Sequence, residues 1–137
     1  MSYINKLKEV KQKSSSIPAL VVEMLDAANK FHILHLTVTG PGSYSAHKAL
    51  NELYESLPGQ ADTIAEGYQG VTGEILDYPE VSAPKLKSVK EAISYIEELH
   101  DKITKLQDTI PYTEIVNDLD AIKSSLNSAK YKLKFLS

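Results

Sequence analysis

Apolar residues recur at steps of three and four along most of the chain, which is the spacing of amphipathic helices. Ile17, Leu20, Val21, Met24, Ala28, Phe31, His35 and Val38 predict a first helix over about 17–38. Pro18 suits its first turn, and Gly40-Pro41-Gly42 ends it. Ala46, Leu50, Leu53, Leu57, Ala61, Ile64, Tyr68 and Val71 mark a second helix from Tyr44 toward Gly70. Pro58-Gly59 falls inside it, where a kink or break is expected, but the apolar spacing stays in phase across the pair, so the reading is one kinked helix. Val89, Ile93, Ile96, His100, Ile103, Leu106 and Ile110 outline a third helix over about 86–109, closed by Pro111. Ile115, Leu119, Ile122, Leu126, Ala129, Leu133 and Leu136 repeat by four and three in a fourth, over about 112–135.

No segment alternates with period two over β-branched residues, so no sheet is expected. Four long amphipathic helices predict an all-α four-helix bundle over 17–137. Residues 1–16 read as a separate N-terminal arm or short helix: Lys6, Lys8, Lys11 and Lys13 precede a Ser14-Ser15-Ser16 break.

Composition narrows the function classes. The 137 residues carry a net charge of −3, so the chain as a whole is no nucleic-acid magnet, although the four lysines of the arm keep a DNA-binding role in view. Cysteine is absent, which removes disulfides, thiolate metal sites and cysteine nucleophiles. No apolar run reaches the roughly 18 residues that span a bilayer, and Met1–Lys6 lacks the core of a signal peptide. The expectation is a soluble cytoplasmic protein without a membrane role.

The candidate chemistry lies in His35, His47, Asp62 and Glu66, spaced H-x11-H-x14-D-x3-E over the first two helices. Imidazoles with carboxylates are the ligands that hold iron in helical bundles. Their spacing constrains them further. His47 and Asp62 are 62 − 47 = 15 residues apart on one helix, or about 22 Å at 1.5 Å per residue. One ion cannot touch both on the same chain. With the second helix's apolar stripe at zero on a helical wheel, His47 lies near 100°, Asp62 near 160° and Glu66 near 200°, on a flank that the chain's own core does not use. Two such helices set antiparallel across a two-fold axis bring the His end of one to the Asp/Glu end of the other, giving two identical shared sites. His35 ends the first helix beside the turn into the second, so it can join His47. His32 reads as a surface or interface residue or an outer partner of the site, His100 as core, and Tyr44, Tyr54 and Tyr68 as packing.

The stretch Phe31-His-Ile-Leu-His-Leu-Thr-Val-Thr-Gly-Pro41, continuing to His47 and Ala61-Asp-Thr-Ile-Ala-Glu66, resembles Dps-type miniferritins. It is similar in particular to a shorter group encoded by bacteriophages and some bacteria, whose second helix also ends in Tyr-Gln-Gly; for these the compartment is the host cytoplasm. The resemblance covers about residues 17–70 and fills all four ligand positions. It implies a ferritin-like bundle with a long crossover between helices 2 and 3. It also implies ferrous iron oxidised by peroxide or oxygen at a di- or mono-iron site, which zinc or another divalent metal can occupy. The implied assembly is a homo-oligomer, at minimum a two-fold dimer and up to a cage of twelve. Leu36 stands where an aromatic commonly follows the first His, Asn51 where a carboxylate often lies, and Gly67 where a basic residue often follows the Glu. These departures imply weaker iron binding or a single iron position. The alternative reading is a ferritin-fold protein that binds DNA or acts structurally without efficient ferroxidase activity.

Overall fold

The computed structural model describes residues 16–136, which form four helices and, among the described residues, no strand. They are α1 (Ile17–Thr37), α2 (Ser43–Thr72), α3 (Val89–Gln107) and α4 (Thr113–Phe135). Each boundary has a local cause. Ser16 caps α1: its backbone is extended and its Oγ accepts the Ala19 N–H. Gly42 and Gly73, at φ 80° and 73°, flank α2 in the left-handed region that a side chain disfavours. Ser88 caps α3 by accepting the Glu91 N–H, while the Glu91 carboxylate reaches back to the Lys87 N–H at 3.2 Å. The expected kink at Pro58 does not divide α2, which stays helical for 30 residues.

α1 packs on α2 and α3, and α4 packs on the same two helices, so α2 and α3 sit on a diagonal. Contacts give the directions. Glu23 meets Lys102 and Phe31 meets Tyr95, so α1 and α3 are antiparallel. Glu52 meets Lys132, Gln60 meets Ser125 and Tyr68 meets Tyr112, so α2 and α4 are antiparallel as well. Residues 73–88, which join α2 to α3, carry no regular structure beyond the last turn of α2. Gln69 Oε1 accepts from the Leu76 N–H and the Tyr78 hydroxyl, Asp26 Oδ2 accepts from the Ala83 N–H at 2.6 Å, and Ala83 and Leu86 are buried.

The core follows the predicted stripes on α1, α2 and α4 through most of their length. Leu136 and Val71, at the ends of two stripes, are exposed. On α3 the buried set is Ala92, Tyr95, Ile96, Leu99, Ile103 and Leu106, and His100 is only half-buried. The stripe turns toward Tyr95 because its hydroxyl has a buried acceptor. It donates to Glu23 Oε2 at 2.7 Å, and Lys102 Nζ donates to the other oxygen at 2.7 Å. Burial and the Glu23 charge push the Tyr95 phenol pKa up. Among the described residues no helix is long and apolar enough to cross a membrane. The N-terminal arm falls outside the described residues apart from Ser16.

Candidate functional site

The last four carbonyls of a helix have no donor within it. One of those on α1 belongs to His35, and its partner comes from α2: His47 Nδ1 lies 3.1 Å from the His35 carbonyl oxygen. A carbonyl only accepts, so His47 carries a hydrogen on Nδ1, which leaves Nε2 as the nitrogen that can present a lone pair to a metal. The turn at 38–42 folds the two helices so that the two imidazoles stack, with centroids 3.7 Å apart and planes at 25°.

His35 is 8 % exposed and its Nδ1 is buried, with no partner in good hydrogen-bond geometry. Loss of water, and then the neighbouring His47 and His32, lower its pKa, with a hydrogen bond to the His32 main chain and then Glu55 working the other way. At neutral pH the ring is therefore uncharged, the form that binds a metal ion. Two adjacent imidazoles, with the Nδ1 of His47 on the His35 carbonyl and the Nδ1 of His35 buried, are donors of the type a transition-metal ion takes through the other ring nitrogens.

Three further residues surround the pair. The Tyr54 ring meets His35 edge-on at 5.0 Å and stacks on His32 at 4.0 Å and 8°. His32 and His35 are 5.7 Å apart. The Tyr54 hydroxyl donates to Asn51 Oδ1 at 2.6 Å. Sequence reasoning read Tyr54 as packing, yet its spacing carried a signal. Tyr54 lies seven residues after His47, and Asn51 four, so all three share one side of α2.

Asp62 and Glu66 are exposed, one turn apart on α2, as His47 is exposed near its start. Because α2 is continuous, Asp62 is about 22 Å and Glu66 about 28 Å along the axis from His47. Among the described residues no three His, Asp or Glu side chains gather closely enough to hold a metal. A single chain thus unites His35 with His47 and leaves Asp62 and Glu66 at the far end.

Residues 35–133 match the model of a family of unknown function, DUF5856. The chain belongs to that family. The DUF5856 match opens at His35 and contains His47, Asp62 and Glu66. No curated protein matches the chain, and no solved structure does.

Proposed function

We propose that this DUF5856 protein is a Dps-like miniferritin that binds ferrous iron between two-fold-related subunits and oxidises it. His35 and His47 of one chain and Asp62 and Glu66 of its mate hold the ion. The observation that carries the reading is the stacked His35–His47 pair with its Nδ1-to-carbonyl bond, whose His47 shares α2 with two exposed carboxylates beyond the reach of a shared ion. Antiparallel α2 helices across a two-fold axis remove that separation.

A ferritin-like topology is part of the proposal. α2 and α3 run in the same direction, which requires the 73–88 segment to travel the length of the bundle as a long crossover. Ala83 bonded to Asp26 midway along α1, and Lys87 and Val89 beside Thr37 and Val38, support that path. Sixteen extended residues reach about 50 Å, and α1 is about 32 Å long.

In this reading the imidazoles fix the position of the ion and the carboxylates neutralise its charge. Two ferrous ions each give one electron to a peroxide, which takes two protons and leaves as two waters; the ferric product passes to a mineral. Ferrous loading with peroxide or air, followed in the near ultraviolet, tests the proposal. Oxidation faster than buffer, lost in a His47→Ala/Asp62→Ala variant, is expected. A rate equal to buffer, or one untouched by those substitutions, overturns it. So does a monomer in a solution mass measurement.

The second reading is a ferritin-fold protein without efficient ferroxidase activity. Asn51 favours it, because its oxygen is engaged by the Tyr54 hydroxyl and does not replace a carboxylate.

A further inference from the structure

Metal-bound histidines are usually oriented by a hydrogen bond on the nitrogen that does not bind. His47 has one, from Nδ1 to the His35 carbonyl. His35 has only a marginal one, from its buried Nδ1 to the His32 main chain one turn back on its own helix. Rings complete the hold. His47 stacks on it at 3.7 Å, and the Tyr54 ring meets it at 72° and 5.0 Å. Tyr54 is fixed in turn by the near-parallel His32 ring at 4.0 Å and by its hydroxyl on Asn51. That hydroxyl has one hydrogen, and it is directed at the only oxygen of the Asn51 side chain. The rest of the Asn51 amide is N–H, which a cation avoids.

We infer that Tyr54 is a positioning residue of the site: its ring orients His35, and its hydroxyl withholds Asn51 from the bound ion. Tyr54 thereby sets both the geometry and the number of ligands. The inference rests on the metal-binding reading above, and it adds a residue that the four-ligand pattern does not contain.

Cobalt(II) titration of the full chain, followed by visible absorption, tests it without any turnover. Wild type binds and gives a cobalt spectrum. Tyr54→Leu removes the ring and is expected to weaken binding roughly 10–100-fold, the usual effect of losing an outer support. Tyr54→Phe restores the ring and is expected to stay within about threefold of wild type, on the same scale. It also frees Asn51 Oδ1, so its cobalt spectrum shifts, and the shift disappears in Tyr54→Phe/Asn51→Ala. A helical Tyr54→Leu variant that binds like wild type overturns the positioning role. A Tyr54→Phe spectrum identical to wild type overturns the Asn51 part. Should Tyr54→Leu not fold, Tyr54→Phe decides, because a tenfold loss with the ring retained contradicts the ring's role. Wild type that binds no cobalt removes the metal-binding reading itself, and the role of Tyr54 falls with it; binding in wild type with unchanged variants removes only the latter.

Discussion

The side chain of His47 bonds to the main chain of His35 at 3.1 Å while the two rings stack at 3.7 Å. One residue of α2 thereby closes an orphan carbonyl of α1 and is itself held in a single tautomer. The same contact makes the two imidazoles one unit, and among the described residues no carboxylate of the same chain completes a metal site with them.

A shared site makes an unusual demand on mixed oligomers. His47→Ala chains keep Asp62 and Glu66, and Asp62→Ala chains keep both histidines. Each variant alone should bind no ferrous or cobalt ion tightly. Mixed under exchange and in equal amounts, half of the dimers pair unlike chains and one of their two sites is whole, so about a quarter of wild-type binding returns. Equilibrium dialysis of the mixture reads this directly, and no recovery refutes sharing.

The lowered pKa of His35 gives a sign for pH dependence. The unfolded chain takes up a proton near 6.5 and the folded chain only at lower pH, so the unfolded state binds more protons between the two values. Stability from this group is complete above 6.5 and declines as pH falls through that window. Urea midpoints between pH 7.5 and 5 should drop for wild type, and the drop should be smaller in His35→Phe.

Glu23 is a buried carboxylate in the bundle core, held by Tyr95 and Lys102. Tyr95→Phe keeps the ring and removes one bond to a charged acceptor, with an expected loss of about 1.5–3 kcal/mol in urea denaturation. In a Glu23→Gln background the same substitution should cost less, because the acceptor is no longer charged; equal costs would show that the pair is not coupled.

Two glycines of α2 should respond with opposite signs. A Cβ at Gly59 meets nothing within 4 Å, so Gly59→Ala should stabilise by about 0.5–1 kcal/mol. At Gly67 it meets the buried Ile115 Cδ1 at 3.2 Å. Overpacking of about 1–3 kcal/mol there offsets the helical gain, so Gly67→Ala should lower the thermal midpoint.

Fold class was legible because burial on three helices repeats with the helical period. On α3 the reading slipped, since a tyrosine entered the core and His100 did not. Period analysis scores Tyr95 as polar, and only its distant acceptor Glu23, 72 residues away, explains its burial. The same limit applies at the site. His35 and His47 were readable from spacing across a short turn. Spacing puts Tyr54 and Asn51 on the His47 side of α2, but the roles of these two and of His32 depend on ring angles and on which oxygen a hydroxyl chooses, which no spacing encodes. At Pro58 the missing N–H argued for a kink or break and the in-phase apolar spacing for one helix, and the buried row from Leu50 to Ile64 keeps α2 in one piece.

That unbroken rod works as a gauge. Substitutions between His47 and Asp62 alter its surface one position at a time. A single inserted or deleted residue turns everything beyond it by about 100°, carrying both acidic side chains off their flank together. Seven added residues return the flank to nearly the same heading but lengthen the rod by about 10 Å. The interval of 15 residues is therefore expected to accept exchanges of amino acid and to resist any change in its length.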